Sequence, residues 1–228
     1  MWRRSPFVVT LEQGSSTVVD SNYTALSVLL DRSGSMQKIR SDAEGGLRAL
    51  IEEQRTVPGR VTLRLAQFDE HYEVVHPSQP LDQVGEPSLH PRGRTALLDA
   101  WGRAMVEFGE ELAALPEDQR PGSVVFAVIT DGLENASQEW TRQQVFDKVR
   151  EQTDRWGWTF LYVAANQDAI AEGAKYGVPS TQSVSYTADS GGTQSAFAST
   201  SSAVTRTRGG NSARFTEAER QATQGTRR

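Results

Sequence analysis

The sequence predicts an α/β fold, a Rossmann-like, doubly wound and mostly parallel central sheet with helices on both faces. Three observations lead there. Short apolar runs alternate with stretches of helical periodicity. Two of the runs, residues 25–30 and 124–129, are apolar without alternation, as strands covered on both faces are. Both runs empty into loops that open on an aspartate, Asp31 and Asp131. At 228 residues, 37% hydrophobic and 23% charged, the chain suits one or at most two globular domains.

Taken in order, residues 1–21 read as an N-terminal extension. Its basic start, Met1-Trp2-Arg3-Arg4, is like that of a signal peptide, but the apolar run Phe7-Val8-Val9 is cut by Thr10 and Glu12. A cytoplasmic location is therefore expected. Residues 25–30 form the first central strand. Ile39, Ala43, Leu47, Leu50 and Ile51 recur at helical spacing, and Pro58-Gly59 closes that helix. Residues 61–68 alternate with period two, and 71–75 pair with them as an edge hairpin. A Pro- and Gly-rich loop, 77–94, leads to a helix over 95–115 with Leu97, Leu98, Trp101, Met105, Phe108 and Leu112 on one stripe. Residues 124–129 form the second central strand, 141–155 a helix, 158–165 a third buried strand and 168–176 a short helix ended by Gly177 and Pro179. The fold domain is thus expected over 22–186. In 187–228 Ser, Thr, Gly, Gln and Arg dominate, so one helix over 191–206 and a mobile tail beyond Gly209 are expected.

Composition removes several function classes. Without cysteine there is no thiolate nucleophile, no zinc–thiolate or iron–sulfur site and no disulfide, which leaves oxygen and imidazole as metal ligands. A net charge of -5 gives the whole chain no basic footprint for nucleic acid. No stretch approaches the roughly 18 to 20 apolar residues that cross a bilayer, so no membrane span is expected.

The chemistry concentrates in Asp31-Arg32-Ser33-Gly34-Ser35. A carboxylate and two hydroxyls stand at alternate positions directly after a strand, so their oxygens can converge. A hard cation such as Mg²⁺ takes oxygen ligands and keeps several waters, which matches an incomplete oxygen set. Thr95 and Asp131 fall at loop ends on the same predicted edge, where ligands bind in open α/β sheets. Read alone, the loop is equally a turn and helix cap, and Thr95 equally an N-cap.

Together these residues resemble the von Willebrand factor type A domain and its metal-ion-dependent adhesion site: Asp-x-Ser-x-Ser, then a loop Thr, then the Asp of a Thr-Asp-Gly turn. The text Gly93-Arg94-Thr95-Ala96-Leu97-Leu98-Asp99-Ala100 and Ile129-Thr130-Asp131-Gly132 resembles bacterial members. The resemblance implies Ser33, Ser35 and Thr95 as direct ligands of Mg²⁺ or Mn²⁺, with Asp31 and Asp131 holding it directly or through water. It also implies an open position for an Asp or Glu of a protein partner, and a place in a bacterial multiprotein assembly. Integrin-type members add acidic residues after the second serine for an adjacent cation; here Gln37 and Lys38 stand there, and a protonated lysine cannot be a ligand.

A metal-dependent binding module is thus expected, and not an enzyme. Aspartyl-phosphate phosphatases need a second Asp two residues after the first, where this chain has Ser33, and neither a nucleophile elbow nor a phosphate loop is present. A Mg²⁺-dependent hydrolase and a metal-rigidified scaffold are the alternatives. His71, His76 and His90 are expected to be solvated, Asp42 a surface acid, Asp99 a first-turn acid favoured by the helix dipole, and Trp101, Trp140, Trp156 and Trp158 packing residues.

Overall fold

A computed structural model describes residues 19–224 of the protein. Its six strands stand in the order β3-β2-β1-β4-β5-β6. They are β1 (Asp20–Asp31), β2 (Arg60–Phe68), β3 (Tyr72–Pro80), β4 (Pro121–Thr130), β5 (Thr159–Ala165) and β6 (Ser183–Tyr186). All neighbours run parallel except the β2–β3 hairpin, which is antiparallel. The expected doubly wound α/β architecture is what forms, with one strand more than the sequence predicts. That strand, β6, has only four residues, too few for periodicity to register.

The two innermost strands are largely apolar because both faces are covered. Leu26, Val28 and Leu30 face one core layer and Ala25 and Leu29 the other. On the first face lie α1 (Arg40–Thr56) and α5 (Ser190–Arg208); on the second, α2 (Leu97–Ala113), α3 (Arg142–Trp156) and α4 (Ala169–Lys175). The second layer is aromatic. Trp101 stacks on Tyr162 at 5.8 Å, and Phe108, Phe126, Trp158 and Phe160 continue the cluster. Trp140 packs against it, whereas Trp156 is 56% exposed, contrary to expectation, because it ends α3 beyond the edge of the layer.

The C-terminal region differs most from expectation. α5 forms where it is predicted, but it belongs to the domain's own core. Gly46 of α1 lets the Phe197 ring approach so closely that a Cβ there would lie 2.5 Å from it. Gln54 Nε2 donates to Ser201 O and Thr205 Oγ1, and Arg208 donates to the carbonyls of Gln54, Val57 and Gly59. Nor do residues 210–224 form the expected mobile tail. Ala213 and Phe215 are buried, α6 (Glu217–Ala222) starts at a capping box on Thr216, and Arg206 pairs with Glu219. Thr187 N donates to Thr223 O and Arg220 to Ser183 O, so this segment closes over the end of β6. Residues 1–18, with most of the expected N-terminal extension, and 225–228 lie outside the described residues.

The topology sets up the site. Leu30 pairs with Ile129 in the β1–β4 ladder, so Asp31 and Thr130 end side by side at the carboxyl edge of the two innermost strands.

Candidate metal centre

Asp31 closes β1 and is fully buried. Its Oδ1 accepts from Ser33 N at 2.6 Å, the side-chain-to-backbone bond that turns the chain out of the strand. Its Oδ2 accepts from Thr130 Oγ1 at 2.6 Å. The turn continues into a short 3-10 helix, Gly34–Ile39, which buried Met36 and Ile39 anchor to the core. That geometry brings the two serine hydroxyls together, Ser33 Oγ 3.0 Å from Ser35 Oγ. Ser35 Oγ in turn donates to Asp131 Oδ1 at 2.6 Å.

Thr95 arrives from across the edge. The helix starts at Leu97 with Ala96 at the cap position and no side-chain cap, so Thr95 is not the N-cap that its position alone allowed. Asn135 fixes its backbone instead: Thr95 N donates to Asn135 Oδ1 and Asn135 N to Thr95 O, each at 3.0 Å. Glu134 supplies the missing cap, accepting from Leu98 N at 3.0 Å. Gly132 marks where the pieces meet. A Cβ built there would lie 3.2 Å from Thr95 Oγ1, 3.6 Å from Ser35 Oγ and 4.0 Å from Asp31 Oδ2. The fold thus brings all five predicted residues, Asp31, Ser33, Ser35, Thr95 and Asp131, to one place: hydrogen bonds join Ser33 to Asp31 and Ser35, and Ser35 to Asp131, and Gly132 lies against Thr95, Ser35 and Asp31.

Electrostatics at this place are unbalanced. Burial pushes the Asp31 carboxyl up to about 6 from an ordinary 3.8, against the Thr130 and Ser33 hydrogen bonds that favour its charged form. Burial also raises Asp131, with the Ser35 hydrogen bond and the Lys38 ammonium opposing the rise. Arg32, adjacent in sequence and buried, does not compensate them, since its guanidinium turns away to Asp69 and Glu73. Two buried carboxylates and three hydroxyls form an all-oxygen donor set of the kind hard divalent cations take. Among the described residues no group of three or more His, Asp or Glu side chains is placed to hold a metal ion.

Several supporting residues carry little signal in the sequence. Glu134 and Asn135 follow from their neighbours in space, and Asn166, at φ 57, places its Nδ2 3.4 Å from Asp131 O, whereas Thr130 and Gly132 belong to the Thr-Asp-Gly turn visible in the sequence. Asp99 does more than face the helix dipole: it accepts from the backbone N–H groups of Gln138, Glu139 and Trp140 and so ties down the loop after Asp131. Asp42 accepts from Ser190 Oγ at the start of α5. His90 is exposed and meets Ser88 Oγ at 3.2 Å.

An α/β protein with an oxygen cluster at the carboxyl edge of its central strands is the class that this fold and site define. The fold is that of the von Willebrand factor type A domain. A structure titled von Willebrand factor type A from Catenulispora acidiphila superposes with a TM-score of 0.56 at 14% identity, over 81% of this chain and 43% of that one. Proximal thread matrix protein 1 from the mussel byssus superposes with a TM-score of 0.58 at 12% identity, over 80% of this chain and 46% of that one. A further structure of the mussel protein, described as having a zinc-occupied MIDAS motif, gives 0.52 at 14% identity over 73% of this chain and 42% of that one. The chain therefore spans less than half the length of these solved structures. No family model and no curated protein sequence matches it.

Proposed function

We propose that the chain is a metal-dependent protein-binding module, in which Ser33, Ser35 and Thr95 hold Mg²⁺ or Mn²⁺ directly, and Asp31 and Asp131 directly or through water. The observation that carries this reading is the meeting of all five residues at the carboxyl edge of β1 and β4, linked by hydrogen bonds and by their contacts beside Gly132. When bound, the cation supplies a Lewis-acidic position for a carboxylate. With no more than two carboxylates around it, often at one remove, it keeps enough positive character to take an Asp or Glu from a partner.

The chain's own residues do the rest. Asp31 anchors the Ser33–Ser35 turn, Thr130 and Asn135 orient Asp31 and Thr95, and the apolar layers beneath hold the strand ends still. We read the site as one for binding and not for catalysis: its hydroxyls bond to each other and to Asp131, and no histidine is placed to serve as their base. We further read the protein as a cytoplasmic component of a bacterial multiprotein assembly that binds neither nucleic acid nor membrane. Among the described residues no helix is long and apolar enough to cross a membrane.

The test is a pull-down from bacterial lysate in Mg²⁺ and in EDTA, with Asp131→Ala alongside. Prey that requires both Mg²⁺ and Asp131 supports the reading; prey indifferent to both would replace it with a metal-independent scaffold.

A further inference from the structure

Asp69 is buried to 1% at the β2–β3 turn, outside the five-residue set, and it joins three separate loops. Its Oδ2 accepts from Arg32 Nε at 3.0 Å and from Arg92 Nε at 2.7 Å. Its Oδ1 accepts from His71 N at 2.6 Å, which fixes the turn on which Asp69 itself sits. Its backbone carbonyl accepts from Ala96 N at 2.9 Å.

Arg32 lies between Asp31 and Ser33. Arg92 and Ala96 bracket Thr95 in sequence. One buried carboxylate and its own carbonyl therefore fasten the Thr95 loop on both sides of the threonine, and fasten the same point to the serine loop. Two backbone bonds run beside it, Arg92 N to Arg32 O at 2.9 Å and Gly34 N to Gly93 O at 3.2 Å. Asn135 orients Thr95 from the opposite flank, by way of the Asp131 loop.

The charges of the cluster are disposed for holding rather than for ligation. Arg32 and Arg92 both address Asp69, Arg32 also reaches Glu73, and the guanidinium groups keep the Asp69 carboxyl below the usual carboxylate range despite its burial. Asp69 is thus an ionised anchor already saturated with donors. A site that binds through Ser33, Ser35 and Thr95 needs their oxygens held to a few tenths of an ångström, and outer residues that do this typically matter about 10 to 100-fold in affinity.

We propose that Asp69 is a positioning residue that sets Thr95 against the serine loop and thereby tunes cation affinity. This rests on the metal-binding reading above. A merely structural residue would change stability without acting through Thr95, so the test is a double-mutant cycle read as Mg²⁺ and Mn²⁺ dissociation constants by calorimetry on the full chain.

Asp69→Asn is expected to weaken binding about tenfold. The Asp69→Asn/Thr95→Ala double variant should bind no more weakly than Thr95→Ala alone, because the anchor then has no ligand left to place. Should Asp69→Asn fail to fold, Arg92→Met removes the exposed half of the bracket, and it should give a smaller loss that likewise vanishes in the Thr95→Ala background. Wild-type affinity in Asp69→Asn and Arg92→Met, or losses that add fully to that of Thr95→Ala, would overturn the inference and leave the metal site standing. A wild-type chain that binds neither cation would instead overturn the metal reading, and this inference with it.

Discussion

Replacing Asp31 with asparagine should make the metal-free protein more stable while removing its response to Mg²⁺. The structure supplies the magnitude. Burial lifts the Asp31 carboxyl from 3.8 to about 6, so its ionised form is disfavoured in the folded state. At about 1.4 kcal/mol per pH unit, that burden is about 3 kcal/mol at neutral pH. An asparagine can reuse the local bonds. Its Oδ1 accepts from Ser33 N as Asp31 does, and its Nδ2 can donate to Thr130 Oγ1, whose hydrogen then points to Gly132 O, already 3.0 Å away. The value of about 6 already nets off the bonds that favour the charged form, so the expected gain is that burden less whatever fit the amide loses, about 1 to 3 kcal/mol.

The sign fixes the pH window. A carboxyl whose folded value lies above its unfolded one contributes stability at low pH, and loses it as pH rises from about 4 to about 6. Urea denaturation in EDTA should therefore show Asp31→Asn and wild type close together at the acid end, diverging through that window and parallel above it. With Mg²⁺ at a hundred times its dissociation constant the wild type should regain about 2.7 kcal/mol, and the variant nothing. A variant equal to or less stable than wild type in EDTA near neutral pH, or a gap that does not change with pH, would refute the account of Asp31 as an uncompensated buried charge.

Three other outcomes are expected. Gly132→Ala places a methyl group 3.2 Å from Thr95 Oγ1 and 3.6 Å from Ser35 Oγ; Mn²⁺ affinity by calorimetry should fall at least about tenfold with the circular dichroism spectrum unchanged. Gly46→Ala would force a Cβ to within 2.5 Å of the Phe197 ring, and thermal unfolding should show a loss of about 1 to 3 kcal/mol. Phe215→Ala should cost about 3 kcal/mol in urea denaturation, a loss that a mobile tail would not give.

The C-terminal segment explains where composition misleads. α5 buries Thr193, Ser199, Thr200 and Ser201, residues whose abundance argues for a solvated chain. Two of them fit because Thr200 Oγ1 returns its hydrogen to Ala196 O at 2.7 Å, while Ser201 takes the Gln54 amide at 2.9 Å; Thr193 Oγ1 is buried without a partner. Small hydroxyl residues so satisfied pack closely against a helix that offers Gly46, and hydropathy along the chain registers neither fact. Residues 210–224 are hidden for a related reason. Their order rests on a few distant partners, Arg206 with Glu219 and Thr187 with Thr223, that no local period announces.

The site divides along the same line. Asp31 and Asp131 are legible because a parallel strand buried on both faces is a continuous apolar run, and the first carboxylate beyond it must stand at the sheet's carboxyl edge. Ser33 and Ser35 follow from alternation within one loop. Thr95 is legible only through resemblance to a known pattern, since its own residues fit an N-cap equally well and the bonds that place it come from Asn135 and from the Asp69 turn. The difference lies in what each position demands. A ligand must present a particular oxygen to a cation, which restricts the residue type and so leaves a pattern. A support has only to offer a hydrogen bond in the right direction, which Asn135 does from the loop after β4 and Asp69 from the β2–β3 turn. Their spacing in sequence is therefore free, and only the folded chain identifies them.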